Sequence, residues 1–257
     1  MSATPVLAGY DMVKKFGNGH TAVDGVTLEV FAGETVGVVG ESGCGKSTTA
    51  RLMLRLIEPT DGRVTLTGTD ITKLPARALR RVRTRAQLVP QNPQTSFNSR
   101  LTMRTSLEFH LRANRTPRNE WGDRIGTVMK QVGLSGAHEN SYPHELSGGQ
   151  LQRAAIARAL VTDPEVIVCD EAVSALDKSV QAQVLNVLHE IQQQTGVAYL
   201  FISHDLTVVE HMSDRIAVMR AGKVVEQTTP YDLWNNPQHP YTQTLLASVP
   251  GLHRAGG

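Results

Sequence analysis

The sequence predicts an α/β fold built on a mainly parallel sheet, and three observations carry that expectation. After residue 160, strand-type and helix-type segments alternate: "VIVCDE", "SVQAQVLNVLHEIQQQTG", "AYLFISHD" and "LTVVEHMSD". Far upstream, the apolar run "TVGVVG" ends in a glycine loop and is followed by the helix-like "TTARLMLRLI". Between the two, residues from about 94 to 160 place apolar side chains at three- and four-residue spacing, a helical interlude in a sheet protein. Sheets of this kind bind ligands beyond the carboxyl ends of their strands.

In chain order, residues 5 to 40 hold short β-type runs, "VLAGYDMV", "AVDGVTLEVF" with partial alternation, and "TVGVVG". "GRVTLTG" adds a strand ending in a turn, and "AQLVP" another. The basic run "RALRRVRTR" puts Arg77, Arg81 and Arg85 four apart, as on one helix face. Anionic lipid or a loop of a membrane protein could meet that face, but a solvated surface is the simpler reading. "TMRTSLEFHLR", "EWGDRIGTVMKQVGL" and "QLQRAAIARALV" are the helices of the middle zone, punctuated by Gly133 and Pro143. After the alternating segments, "RIAVMRAGKVVEQ" reads as a hairpin turning at Ala221-Gly222.

Composition limits the function classes. The 257 residues suffice for one large domain or two modest ones with a sizeable core. Lysine and arginine total 26 against 24 acidic residues, a formal charge of +2 that is too even for a nucleic-acid partner. Cys44 and Cys169 lie far apart, in neither a disulfide framework nor a zinc spacing, which fits a reducing, cytosolic setting. No secretory h-region opens the chain and no run nears the roughly 18 apolar residues of a membrane span. Any membrane role is therefore expected to come through partners.

The first chemical motif is "GESGCGKST", residues 40 to 48, which matches G-x-x-x-x-G-K-[ST] between a strand and a helix. That context defines a phosphate-binding P-loop. Gly40, Gly43 and Gly45 let backbone N–H groups turn inward around phosphates, Lys46 supplies a point charge to the β- and γ-phosphates, and Ser47 offers an oxygen to Mg²⁺. Thr48 adds a contact near the α-phosphate. Cys44 sits beside a lysine and a helix start, which could lower its pKa, but a small loop-filling side chain is the better reading.

The second is "VIVCDE", residues 166 to 171, a buried strand with two carboxylates at its end. On the P-loop's edge of a shared sheet, Asp170 would hold Mg²⁺ and Glu171 would orient and polarise the attacking water of phosphoryl transfer. Cys169 is expected to face the core. Gln91 after "AQLVP" and His204 after "AYLFIS" gain interest only from standing at strand ends. A third stretch, "HELSGGQLQRAAIARAL" (144 to 160), has a serine and two glycines at a helix start, an anion cradle without a lysine. An ordinary capped helix with Ser147 as N-cap would explain it equally well in isolation.

The succession of P-loop, Gln91, "LSGGQ" (146 to 150), "VIVCDE", "SALD" (174 to 177) and His204 resembles the nucleotide-binding subunits of ATP-binding-cassette transporters over nearly the whole chain. The resemblance implies a P-loop NTPase with a RecA-like core, a small antiparallel β-subdomain and an inserted helical subdomain. Core and β-subdomain would span about 1–93 and 161–230, the helical subdomain about 94–160, and a C-terminal tail about 231–257.

It also implies ATP and Mg²⁺ as ligands and two such chains meeting head to tail. The phosphates would lie in the loop Gly40, Glu41, Ser42, Gly43, Cys44, Gly45, Lys46, Ser47 and Thr48. Ser147, Gly148, Gly149 and Gln150 would close over the γ-phosphate on the partner's P-loop, so their cradle needs no lysine of its own. Asp177 would couple the two sites, His204 would hold the γ-phosphate and the attacking water, and Gln91 would reach Mg²⁺ and water. Phe16 stands where the family carries an aromatic that stacks on adenine; as an aromatic near a chain start it could equally be core.

"PHELSGGQLQRAAIARAL", "DEAVSALD" and the tail "NNPQHPYTQTLLASVP" (235 to 250) further resemble the ATP-binding subunits of oligopeptide, dipeptide and nickel importers, although composition alone would make the tail a closing amphipathic helix. Implied partners are a second ATPase chain, a paralogue or a second copy, two transmembrane permeases and, indirectly, an extracytoplasmic solute-binding protein. The expected location is the cytoplasmic face of the cell membrane. Two departures stand out. Pro90 precedes Gln91 where relatives carry an aromatic, either stiffening that loop or suiting a strand edge. The tail also has no cysteine cluster for an iron–sulfur centre.

Overall fold

A computed structural model describes residues 4–17 and 19–248. In chain order its elements are β1 (Leu7–Lys15), β2 (Thr21–Val30), β3 (Thr35–Val39), α1 (Lys46–Met53), β4 (Asp61–Leu66), β5 (Thr69–Asp70), α2 (Ala76–Val82), β6 (Ala86–Val89), α3 (Pro93–Ser96), α4 (Met103–Ala113), α5 (Trp121–Gln131), α6 (Gly148–Leu160), β7 (Val166–Asp170), α7 (Lys178–Thr195), β8 (Ala198–Ile202), α8 (Leu206–Met212), β9 (Arg215–Arg220), β10 (Lys223–Thr228), α9 (Pro230–Asn235) and α10 (Pro240–Ala247). They form two sheets. One is a four-stranded antiparallel sheet ordered β2-β1-β4-β5; the other has six strands ordered β10-β9-β3-β8-β7-β6. In the larger sheet β9, β3, β8, β7 and β6 run parallel and only β10 is antiparallel.

The three central parallel strands, β3, β8 and β7, are buried along their whole length, so strict alternation with polar residues is absent and the period of two instead splits each strand between two cores. Ile167 and Cys169 of β7, with Tyr199 and Phe201 of β8, face the helical side, where α4 to α8 and the tail pack. Val166 and Val168, with Leu200 and Ile202, face α1 and the antiparallel sheet. Each such side chain withdrawn from water contributes about 1.5–3 kcal/mol before entropy is counted.

Local chemistry sets the boundaries. Asp177 caps α7 by accepting from the Val180 N–H at 3.0 Å, and Gly196 ends that helix with φ 69°. The Ala221-Gly222 turn has φ 47° and 81°, the paired positive values of a tight hairpin between β9 and β10. β6 is an edge strand, so Pro90 just beyond it breaks no ladder.

The basic run departs from the single helix face that its spacing predicts. α2 ends at Val82 and tightens into a 3₁₀ turn over residues 83–85, where the Arg83 guanidinium donates to the Leu54 carbonyl at 3.0 Å and to that of Arg55. Arg85 consequently falls in a 3₁₀ turn and pairs with Glu165, away from Arg77 and Arg81.

Candidate active site

Four neighbouring parallel strands deliver the site. Reading across the sheet, β3 ends in the P-loop, β8 in His204, β7 in Asp170 and Glu171, and β6 leads to Gln91. Residues distant in sequence thus share one sheet edge because parallel strands all point the same way.

The P-loop is braced from several directions. Gly45 adopts φ 107°, and a Cβ there would lie 2.3 Å from the Ala22 carbonyl oxygen, so only glycine fits. Gly222 of the hairpin turn donates its N–H to the Cys44 carbonyl at 2.9 Å. Lys46 is 4 % exposed, and its ammonium donates to the carbonyls of Gly40 at 2.7 Å and Glu41 at 2.9 Å. Burial pushes the Cys44 thiol up and outweighs the neighbouring lysine, so the loop cysteine is not a preformed thiolate. Cys169 is fully buried on the core side, and burial pushes it up to about 12. Ser42 and Gly43 form the open lip of the loop, and Thr48 sits half-buried in the first turn of α1.

At the carboxylate end, Ser47 donates its hydroxyl to Asp170 at 2.6 Å. Asp170 is 6 % exposed and, among the described residues, has no cationic partner. Two hard oxygen ligands side by side, one a buried carboxyl bonded to the hydroxyl of the other, are the donor set that Mg²⁺ takes when it shares its sphere with phosphate and water. Among the described residues no cluster of three or more His, Cys, Asp or Glu offers an all-protein metal cage.

Glu171 has φ 51°, a strained backbone for a residue with a side chain, and its conformation is held from both ends. Its N–H donates to the Ile202 carbonyl at 3.0 Å, and its carbonyl accepts from the Ser174 N–H and hydroxyl at 3.1 and 3.0 Å. Gln91 donates to Glu171 Oε2 at 2.7 Å, and His204 Nδ1 approaches the same oxygen at 3.7 Å. Oε1 is left without a hydrogen bond among the described residues. Lys46, Ser47, Asp170, Glu171, Gln91 and His204 are therefore brought to one edge, as expected from their strand-end positions.

Phe16 is 42 % exposed just past the end of β1, with Lys14 over its ring at 5.4 Å, so it is not a core residue. The "LSGGQ" segment lies elsewhere. Ser147 caps α6 in a reciprocal box, accepting from the Gln150 N–H at 3.3 Å while its own N–H donates to Gln150 Oε1 at 2.9 Å. Ser147 and Gly148 are exposed, and Gly149 packs so close to α7 that a Cβ would lie 2.4 Å from Val180 Cγ1. Among the described residues no hydrogen bond or ion pair joins residues 147–150 to residues 40–48. Asp177 is an N-cap on the same side, at the start of α7.

Three contacts escape sequence reasoning. Arg158 of α6 donates to the Ser96 carbonyl at 2.6 Å and stacks 4.2 Å from the centre of the Phe97 ring, tying the segment after Gln91 to the LSGGQ helix. Lys178 pairs with Asp205 at 2.6 Å, joining the residue after Asp177 to the one after His204. Tyr241 of the tail accepts a hydrogen bond from the Glu41 N–H of the P-loop at 3.2 Å.

Comparison with known proteins agrees with this geometry. A family profile described as "ABC transporter" matches residues 23–174, and one described as "Oligopeptide/dipeptide transporter, C-terminal region" matches 225–257. The oligopeptide transport ATP-binding protein AppF of Bacillus subtilis is 48% identical over 237 residues, 91% of this chain and 72% of that protein. OppF of Salmonella typhimurium is 48% identical over 231 residues, 89% of this chain and 69% of its own length. Among solved structures, cbiO1 of Clostridium perfringens, part of the ABC transporter complex cbiONQ, superposes with a TM-score of 0.82 at 25% identity, covering 90% of this chain and 91% of that one. The ATP-binding cassette MJ0796, a dimer in a post-hydrolysis state bound to ADP and Pi, does so with 0.79 at 27% identity, covering 87% and 98%. With a profile spanning more than half of its residues and relatives close to half identical along nine-tenths of it, the chain belongs to the ABC transporter family as one of its ATP-hydrolysing, ATP-binding cassettes.

Proposed function

We propose that this cassette energises a membrane importer for dipeptides and oligopeptides, hydrolysing ATP at the edge formed by β3, β8, β7 and β6. The observation that carries the reading is the convergence of Gln91 and His204 on one oxygen of a backbone-locked Glu171, next to the Ser47–Asp170 pair. The peptide class rests on relatives named for oligopeptide and dipeptide transport and on the tail, and it is favoured over the nickel class. No helix among the described residues is long and apolar enough to cross a membrane, so solute passage is assigned to two permeases that the cassette serves from the cytoplasmic face.

In the hydrolysis step the P-loop amides and Lys46 bind the phosphates, and the ammonium spreads its charge over the γ-phosphate. Mg²⁺, held by Ser47 and Asp170, would supply neutralisation of phosphate charge. Gln91 holds Glu171 Oε2 with His204 close by, which leaves Oε1 to take a hydrogen bond from the attacking water and then its proton. The polar edge of His204, 58 % exposed, is free to reach the phosphate.

Ser147, Gly148, Gly149 and Gln150 complete the site of a second cassette, a paralogue or another copy of this chain. The exposure of Ser147 and Gly148, and the separation of the segment from the P-loop of the same chain, support that assignment. A nucleotide shared by both chains favours the closed pair by its differential affinity, roughly 2.7 kcal/mol per site at a hundredfold excess over Kd.

The test is to tag the Glu171→Gln chain in its native host, solubilise membranes gently with Mg-ATP and identify what copurifies. Two permeases, a second cassette and a peptide-loaded binding protein are the expected result. Recovery from the soluble fraction alone, or with ribosomes or DNA, would overturn the transport reading.

A further inference from the structure

The tail makes a contact that hydrolysis as described does not use. Its His239-Pro240-Tyr241 stretch is docked by a chain of specific bonds. Glu226 of β10 accepts the N–H groups of Gln238 at 2.9 Å and His239 at 3.0 Å. Burial works against the charge of this carboxylate, but those hydrogen bonds outweigh it and hold its pKa below the ordinary value. His239 caps α10, its Nδ1 accepting from the Tyr241 N–H at 3.1 Å, and Pro240 occupies the first helical position. The Tyr241 ring is 5 % exposed and lies beneath the Arg220 guanidinium, 4.8 Å from its centre. Arg220 is in turn adjacent to the hairpin turn that holds the Cys44 carbonyl.

All of this places the phenol oxygen against the P-loop, 200 residues away in sequence, where it accepts the Glu41 N–H at 3.2 Å. The carbonyl of the same residue accepts from the Lys46 ammonium at 2.9 Å. Glu41 is therefore gripped on one side by the tail and on the other by the lysine that faces the phosphates. A loop that must present its amides to a phosphate gains affinity from being held in shape beforehand.

We propose that Tyr241 is a positioning residue for nucleotide: through Glu41 and Lys46, the docked tail sets the affinity of the P-loop for phosphate. The inference rests on the reading of residues 40–48 as the phosphate site. It gives each part of the His-Pro-Tyr stretch a task, with His239 and Pro240 starting the helix and the Tyr241 hydroxyl delivering the contact. It also makes the tail a handle, because anything that pulls Glu226 and the tail apart loosens the nucleotide loop.

The experiment titrates the full-length chain with N-methylanthraniloyl-ADP and Mg²⁺, and follows Glu41 amide hydrogen exchange and the thermal midpoint without nucleotide. Tyr241→Phe keeps the ring and its cation contact and removes only the hydroxyl. It is expected to raise Kd roughly two- to tenfold, the equivalent of one net hydrogen bond, and to speed Glu41 exchange while leaving the midpoint in place. Glu226→Gln, which weakens the docking with Tyr241 intact, should shift both readouts in the same direction by less. Wild-type affinity and exchange in Tyr241→Phe would overturn the proposal, as would a lowered midpoint with unchanged Kd, the mark of a tail that only braces the fold. Lys46→Ala is the control. If that variant binds nucleotide like the wild type, the phosphate-site reading itself falls; if it loses binding while Tyr241→Phe keeps it, only the tail's role does.

Discussion

The P-loop and the LSGGQ segment are both glycine-bearing helix starts, yet the chain treats them in opposite ways. Around residues 40–48 the loop is braced behind its open lip: Ala22 behind Gly45, Gly222 on Cys44, Asp170 on Ser47 and Tyr241 on Glu41. A positive charge lies buried at the centre. Around residues 147–150 the bonds to the helix-capping serine are local, made with Gln150 and Leu151 of its own helix, and the serine and the following glycine face solvent. The first is a complete anion site. The second satisfies its own cap and leaves a helix N-terminus for something outside the chain. The contrast teaches that a phosphate cradle can be recognised as half of a site by the lack of a buried cation and by an exposed serine and glycine at its mouth.

The largest expected effect breaks the complete side. Glu171→Gln should retain nucleotide binding and lower turnover by roughly 10²- to 10⁴-fold, the scale of losing a general base. Steady-state phosphate release by the assembled transporter decides it, and near-normal turnover would remove Glu171 from that role. Next comes the incomplete side. Ser147→Arg should leave nucleotide affinity at its own P-loop unchanged yet cut turnover by about 10²-fold, as for loss of a preorganised donor to developing charge. An unchanged rate in the assembled complex would contradict a site shared between chains. A smaller effect probes what fixes the second cradle to the body of the protein. Gly149→Ala puts a methyl 2.4 Å from Val180 Cγ1, and overpacking of this kind costs about 1–3 kcal/mol, which a denaturant titration would resolve.

The two regions also differ in how they could be read beforehand. The glycine loop, Lys46, the carboxylates after "VIVC" and the strand-end polar residues are local signals, and the parallel sheet turns each of them toward one edge. What joins the regions is not local. Tyr241 meets Glu41 across 200 positions and Arg158 meets Ser96 across 62, and neither partner has a pattern that names the other. The Arg77, Arg81, Arg85 spacing failed for a related reason. Helical periodicity assumes a period of about 3.6 throughout, whereas the chain tightens into a 3₁₀ turn at Arg83, whose side chain is tied to the Leu54 and Arg55 carbonyls. Phe16 shows the reverse case, where composition allowed core or ligand and only burial could discriminate.

The smallest effect concerns the link between the sides, and it is one of pH. Lys178 follows the Asp177 cap, Asp205 follows His204, and the two pair at 2.6 Å. Burial alone would raise the Asp205 pKa, but the hydrogen bonds from Lys178 and from Thr207 outweigh it and hold the carboxyl below its ordinary value of 3.8. The folded state therefore binds this proton less readily than the unfolded chain. The resulting stability is present in full above that ordinary value and is lost as pH falls through the lowered one. Lys178 is 79 % exposed, so solvent screens the pair and the effect is small. Lys178→Met should lower stability slightly above that ordinary value and leave it unchanged at pH below the lowered one, so that the acid limb becomes shallower. An acid limb that keeps its slope would mean that the Thr207 bonds alone hold the carboxylate, and that the loop after His204 is not tied electrostatically to the helix behind LSGGQ.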